Sequence, residues 1–142
     1  MTALSGDLAL DAWPLVAWLE ADPITAPRIR QLFRTAAAGA ARLHINAINL
    51  GEVFYIAARR RGHSVALELI SELRSRLLVV PAADELIMAA ALLKAGGGIS
   101  YADAFAAATA IALNLTLVTG DPELRRLVRR QPALKLHWLG QH

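Results

Sequence analysis

Four carboxylates stand where an acid is costly, beside or inside apolar stretches of the chain. Asp11 and Asp121 each follow a short apolar run, and Asp103 enters an alanine-rich helical stretch. Glu52 has Ile48, Asn49, Tyr55 and Ile56 as its helical neighbours three and four positions away, and none of them is a cation. The four acids are therefore the first candidates for chemistry in this sequence.

Local structure offers an alternative explanation for three of these acids. Ser100 to Asp103 has the spacing of a capping box, in which serine caps the helix and the acid at N3 reaches back. Asp121 before Pro122 is a typical N-cap followed by a typical N1 residue, and Asp11 is placed to cap the helix that begins near Trp13. Glu52 has no such role, because it falls in the second turn of its helix.

A joint role for the acids follows from where the strands end. Asp11 and Asp121 lie at the carboxyl ends of the first and fourth predicted strands, where open parallel sheets bind ligands. Glu52 lies in the helix that leaves the second strand, and Asp103 reaches the same edge if its helix runs antiparallel to the fourth strand.

Carboxylates gathered in one pocket require protons or cations. Each pair of unit charges about 4 Å apart costs on the order of 4 kcal/mol at an effective dielectric constant near 20. The chain has no cysteine, so the donors are oxygen atoms, which favour hard ions such as Mg²⁺ or Mn²⁺. Such a site activates water and holds a phosphodiester.

Short apolar strands alternating with helices predict an α/β fold. The sequence indicates a single domain over residues 1–142, with a four- or five-stranded, mainly parallel sheet sandwiched between helices. The strands are expected at residues 8–10, 43–45, 77–80 and 116–119, with a possible fifth within 134–139. The third is fully apolar, which predicts a strand covered on both faces.

The composition indicates a cellular compartment for the protein. The absence of cysteine is typical of a reducing cytoplasm, and Asp7 and Asp11 near the start argue against a secretory signal. The uncharged run from Ala104 to Gly120 changes from helical to β-type character midway and contains threonines and an asparagine, so we expect no transmembrane segment. The predicted location is cytoplasmic.

The sequence resembles the PIN-domain ribonucleases, specifically the VapC-like toxins of type II toxin–antitoxin systems. The matching pieces extend over almost the whole chain: residues 10–13, 48–55, 99–108 and 117–123. The resemblance implies that Asp11, Glu52, Asp103 and Asp121 bind Mg²⁺ or Mn²⁺ and catalyse RNA cleavage, with Thr119 supporting the site. It also implies a homodimer, an RNA substrate and a cognate antitoxin protein as partner, with no membrane.

One departure from this resemblance lies directly after the first acid. The family often has a small hydroxyl or amide residue there, whereas this chain has Ala12 and Trp13. A non-catalytic PIN-fold binding module is therefore one alternative. An aspartyl-phosphate phosphotransferase with Asp11 as nucleophile is a weaker one, because position 13 is Trp rather than a second Asp.

Two clusters of arginine are candidates for RNA binding. The net charge is +3, and arginines concentrate at residues 59–61 and 125–130. The simplest interpretation of both clusters is a solvated surface, with the first complementing a helix C-terminus. The alternative is that Arg59, Arg125 and Arg129 contact the RNA backbone.

Overall fold

Five parallel strands form the single sheet that a computed structural model describes within residues 4–140. They are β1 (Gly6–Leu10), β2 (Ala41–Asn46), β3 (Leu78–Val80), β4 (Thr116–Thr119) and β5 (Lys135–Trp138), in the spatial order β3-β2-β1-β4-β5. All four neighbouring pairs are parallel. The expected parallel α/β fold is confirmed, with five strands.

Seven helices connect and cover these strands. They are α1 (Ala12–Leu19), α2 (Thr25–Ala37), α3 (Ala47–Arg61), α4 (His63–Arg76), α5 (Asp84–Ala95), α6 (Tyr101–Ala112) and α7 (Pro122–Leu127). The Asn46 side chain caps α3 by accepting a hydrogen bond from the Ile48 N–H at 2.9 Å. Gly62, with φ +91°, makes the abrupt turn from α3 into α4, a backbone conformation suited to glycine.

Alternation along the strands divides the core into two layers. Leu8 and Leu10 of β1 belong to the cluster that packs against α1 to α4, whereas Ala9 between them belongs to the cluster against α5 to α7. Successive strand side chains point to opposite faces, so one strand contributes to both clusters. The sheet is therefore covered by helices on both faces.

The order of the strands creates a switch point between β1 and β4. The chain runs outward from β1 to β2 and β3, then returns to place β4 on the other side of β1. Leu10 pairs with Val118 in the β1–β4 register, so the next residues, Asp11 and Thr119, lie side by side at the carboxyl edge of the sheet. Parallel sheets bind ligands at this kind of crevice.

One expectation from the sequence is wrong in detail. The third strand lies at the edge of the sheet, and its Leu78 is 49% exposed, so the strand is not covered on both faces. The helix after Pro122 ends at Leu127, so Arg129 lies beyond it.

The described residues stop short of both ends of the chain. Residues 1–3 and 141–142, which complete the domain expected over 1–142, lie outside them. None of the helices between residues 4 and 140 is long and apolar enough to span a membrane.

Two leucines on α4 provide a matched test of the core. Leu73 is fully buried, whereas Leu67 on the same helix is 52% exposed. We expect Leu73→Ala to lower the free energy of unfolding by about 2–5 kcal/mol, because it removes buried contacts and leaves a cavity. Leu67→Ala should change it by about 0.5 kcal/mol or less. Urea unfolding measures both, and equal losses would contradict this packing.

Candidate metal centre

Asp11 is almost completely buried at the carboxyl end of β1. It is 1% exposed, and its side chain makes no capping hydrogen bond to α1, so the capping interpretation is wrong for this residue. One carboxyl oxygen, Oδ2, accepts a hydrogen bond from the Thr119 hydroxyl at 2.8 Å. The other, Oδ1, is buried without any partner. An acceptor left this way costs about 1–3 kcal/mol, so this oxygen is available to a ligand.

Thr119 connects the ends of β1 and β4. Its fully buried hydroxyl donates to Asp11 and accepts a hydrogen bond from the Asp121 backbone N–H at 3.0 Å. The Asp121 side chain in turn caps α7, since Oδ1 accepts from the Glu123 N–H at 2.9 Å. The capping interpretation of Asp121 is confirmed, and its second oxygen remains available to the site.

Asp103 occupies the first turn of α6 and is 5% exposed. Ser100 caps the helix as expected, because its hydroxyl accepts from the Asp103 N–H at 3.1 Å. The return bond of a capping box does not come from Asp103: the Ser100 N–H donates to Glu123 Oε2 at 3.0 Å. Glu123 therefore frees the Asp103 carboxyl group from its expected capping role.

The three aspartates converge on one point. Asp11, Asp103 and Asp121 each offer an oxygen atom, and these atoms lie within 4.8 Å of one another. The expected meeting of the first, third and fourth acids at one sheet edge is therefore confirmed. Glu52 lies outside this group of three but lines the same cleft from α3.

Burial and crowding raise the pKa of three carboxyl groups in the cleft, those of Asp11, Asp103 and Glu52. Desolvation raises the pKa of Asp11 to about 8, with further contributions from the charges of Asp121 and Glu52. Desolvation also raises the pKa of Asp103 to about 9, helped by its hydrogen bond with Glu123 and the charge of Asp121. The pKa of Glu52 is raised for the same two reasons, burial and Asp121. The site favours protons or a cation over bare charges.

A cleft of about 430 Å³ extends from the acids across α1 and α3. Its middle is apolar, and its far end holds the ion pair between Arg60 Nη1 and Glu20 Oε1 at 3.0 Å. The apolar residues are Trp13, Val16, Ala17 and Ile56. Nothing in the sequence separates Arg60 from Arg59 and Arg61, so sequence patterns do not identify this cleft residue.

Trp13 forms a wall of the cleft rather than a ligand. A Cβ atom added at Gly120 would approach the Trp13 ring to 2.5 Å. The ring therefore fits only because position 120 has no side chain. The residue that departs from the family pattern is packed against the loop between Thr119 and Asp121, where it fixes the shape of the acid end.

The three arginines that are candidates for RNA binding lie outside the cleft. Arg59 lies over the Tyr55 ring at 5.4 Å and Arg125 over the Trp138 ring at 4.7 Å, both within cation–π range. Arg129 is exposed beyond the end of α7. The residues that line the cleft include Arg60 instead.

The donor set fits a hard divalent cation. Carboxylate oxygens are the ligands that Mg²⁺ and Mn²⁺ favour, and the unpartnered Oδ1 of Asp11 supplies one that nothing else in the site engages. Asp103 and Asp121 contribute the neighbouring oxygens, with Glu52 across the cleft. A bound cation would also relieve the repulsion among these groups.

Solved structures with this fold come from several bacterial complexes. A chain of the VapBC complex from Salmonella typhimurium, solved bound to DNA, superposes with a TM-score of 0.71 and 20% identity over 96% of this chain and 99% of that one. A chain of VapBC2 from Rickettsia felis, bound to a DNA fragment from its promoter, superposes with a TM-score of 0.69 and 21% identity over 92% of this chain and 97% of that one.

VapC20 from Mycobacterium tuberculosis, a sarcin-ricin loop cleaving toxin, gives a TM-score of 0.67 and 17% identity over 84% of this chain and 94% of that one. No curated protein sequence matches the chain significantly. The sequence pattern of the PIN domain, however, matches residues 8–129, which include all four acids and the switch point. The chain belongs to the PIN domain family.

Proposed function

We propose that this protein is a Mg²⁺- or Mn²⁺-dependent endoribonuclease that acts as the toxin of a toxin–antitoxin pair. The observation that carries the proposal is the buried Asp11 carboxyl group, which has an unpartnered Oδ1 and converges with oxygens of Asp103 and Asp121 at the β1–β4 switch point. The PIN domain and the similarity to VapBC chains and to a toxin that cleaves the sarcin-ricin loop support it.

The chemistry assigns distinct tasks to the residues of the site. When bound, Mg²⁺ or Mn²⁺ lowers the pKa of a water molecule and orients the scissile phosphate. Asp11, Asp103, Asp121 and Glu52 hold the cation and do not attack covalently. Thr119 fixes the orientation of the Asp11 carboxyl group through its 2.8 Å hydrogen bond to Oδ2.

The geometry of the site disfavours the two alternative functions, a phosphotransferase and a non-catalytic binding module. Trp13 packed against Gly120 takes the position at which a phosphotransferase of this type has its second Asp. A non-catalytic binding module is disfavoured by the cost of gathering three carboxyl groups, two of them buried, because an inactive relative could avoid that cost by substituting them. The departure at Ala12 and Trp13 affects the wall of the site and leaves the acids in place.

The proposed partners are RNA, an antitoxin protein and a second copy of the chain, in the cytoplasm. Two of the similar solved chains come from VapBC complexes. On α5, Met88 is 69% and Leu92 is 77% exposed, an apolar surface that supports a homodimer. Arg59, Arg125 and Arg129 are proposed to contact RNA outside the cleft.

Acid-to-amide variants test the catalytic proposal. We expect Asp103→Asn and Asp121→Asn to slow cleavage of mixed RNA by about a hundredfold or more, because each loses a charged cation ligand. Asn remains a good N-cap, so α7 should persist in Asp121→Asn. Chelator should abolish cleavage by the unaltered protein, and Mg²⁺ or Mn²⁺ should restore it.

Asp84→Asn is the matched control, because Asp84 is an exposed acid at the start of α5 and does not line the cleft. Its cleavage rate should equal that of the unaltered protein. Persistent cleavage by the folded Asp103 and Asp121 variants, or indifference to chelator, would contradict the mechanism.

Arg60 is proposed to bind an RNA phosphate in the cleft, by exchanging its exposed Glu20 partner for the ligand. We expect Arg60→Gln to weaken RNA binding and to reduce the slope of log K against log salt by about 0.7, the value for one contact with single-stranded nucleic acid. Binding titrations at several salt concentrations measure this. Arg74→Gln, an exposed change on α4 outside the cleft, should leave the slope unaltered; equal slopes for all three proteins would overturn the assignment.

The metal-free protein should lose stability as the pH rises. The pKa values of about 8 for Asp11 and about 9 for Asp103 lie above the ordinary 3.8 of an unfolded chain. The folded state therefore binds more protons, and the stability that these groups contribute is complete below about pH 4 and lost as the pH rises through 8 and 9.

Urea unfolding in chelator should give a free energy that falls between about pH 6 and about pH 9, with a smaller fall for Asp11→Asn. Mn²⁺ should reduce the fall, because it binds the ionised carboxylates. A free energy that is constant or rises over this range in chelator would contradict the protonation of the buried acids.

A further inference from the structure

Asn49 links α3 to α6, the helices that carry Glu52 and Asp103. It lies in the first turn of α3 and is completely buried. Its Nδ2 donates a hydrogen bond to the backbone oxygen of Ala102 on α6 at 2.9 Å. Ala102 directly precedes Asp103, so the amide is fixed to the backbone that carries one of the three converging acids.

The same side chain also faces Glu52. The two residues are three positions apart on α3, the spacing that places side chains on one helical face. Burial and the charge of Asp121 raise the pKa of Glu52, and the neighbouring Asn49 amide opposes them. One amide is therefore bonded to the backbone beside Asp103 and lies on the helical face that carries Glu52.

Packing alone does not account for an amide at this position. Asn49 Oδ1 is buried with no hydrogen-bond partner, which costs about 1–3 kcal/mol. An apolar side chain of similar size would avoid that cost. The Ala102 carbonyl oxygen lies in the first turn of α6, where it can accept a hydrogen bond from a backbone N–H of the same helix. It therefore does not require Asn49 as a partner.

Asn46 provides an instructive contrast at the start of the same helix. Its Nδ2 donates to Thr109 Oγ1 on α6 at 3.0 Å, and its Oδ1 caps α3 through the Ile48 N–H. Both ends of that amide are satisfied, and neither contact involves an acid of the cleft. Asn46 thus already links this part of the chain to α6, and Asn49 adds a connection specific to the acids.

We propose that Asn49 is a positioning residue for the metal centre: it holds the Glu52 carboxyl group at a fixed place relative to Asp103, so that Glu52 completes the oxygen set around the cation. This rests on the proposed function, because it assigns the cation to the same four acids. Partners that orient metal ligands in this way change metal affinity about 10–100-fold when they are removed.

The test measures Mn²⁺ binding without RNA, by isothermal titration of the chelator-treated full chain. We expect Asn49→Ala to raise the Mn²⁺ dissociation constant by about tenfold or more. Thr109→Val is the matched control, since it removes the buried hydrogen bond from Asn46 and touches no acid. It should lower the melting temperature and leave the Mn²⁺ dissociation constant unchanged. RNA cleavage by Asn49→Ala should recover as Mn²⁺ is raised.

The outcomes distinguish failure of the Asn49 positioning role from failure of the proposed nuclease function. Mn²⁺ affinity unchanged in Asn49→Ala, or weakened equally in Thr109→Val, would overturn the positioning role even if the unaltered protein cleaves RNA. Weaker binding in Asn49→Ala alone supports the role, and if no RNA is then cleaved the proposed function fails instead. Absence of Mn²⁺ binding by the unaltered protein would overturn both. If Asn49→Ala does not fold, Asn49→Ser carries the same expectation, because its side chain is too short to contact both partners.

Discussion

The site depends on a single hydroxyl group placed between two neighbouring strand ends. Thr119 donates to Asp11 and accepts from the backbone of Asp121, so one residue orients two acids from opposite sides of the switch point. This is possible only because β4 returns beside β1, which brings residues 108 positions apart into hydrogen-bond contact. The crossover connections of a parallel sheet impose that arrangement, and the helices that follow the two strands begin at the same edge.

Gathering carboxyl groups around that hydroxyl opposes folding unless protons or a cation accompany them. The raised pKa values of Asp11 and Asp103 express this conflict, and desolvation is the larger cause in both. A buried cluster of this kind lowers stability at the pH where it is ionised, which structural residues avoid and functional sites tolerate. The proposed metal binding would therefore be coupled to folding, since a cation would take the place of the protons that the metal-free fold retains.

Much of this arrangement follows from patterns in the sequence, and the remainder depends on contacts between distant segments. Asp11 and Asp121 could be placed because each directly follows an apolar strand, and parallel strands share one edge. The capping box predicted at Ser100 is correct for the serine and wrong for Asp103, because the return bond involves Glu123 and helical spacing carries no information about a residue on another helix. Arg60 could not be distinguished from Arg59 and Arg61, because which of three consecutive arginines enters the cleft depends on how α3 packs against α1.

Trp13 departs from the family pattern, and Gly120 compensates for it by leaving room for the indole ring. A small polar residue after the first acid is close enough to assist a bound cation, whereas an indole has no oxygen to offer. Its ring instead lies against Gly120, and any side chain there would collide with it. The two positions therefore constrain each other across the switch point, because the loop between Thr119 and Asp121 stays close to Asp11 only while Gly120 leaves room for the ring. The departure replaces a polar side chain by a rigid apolar wall, so in the proposed function the cation would be held by the carboxyl groups themselves.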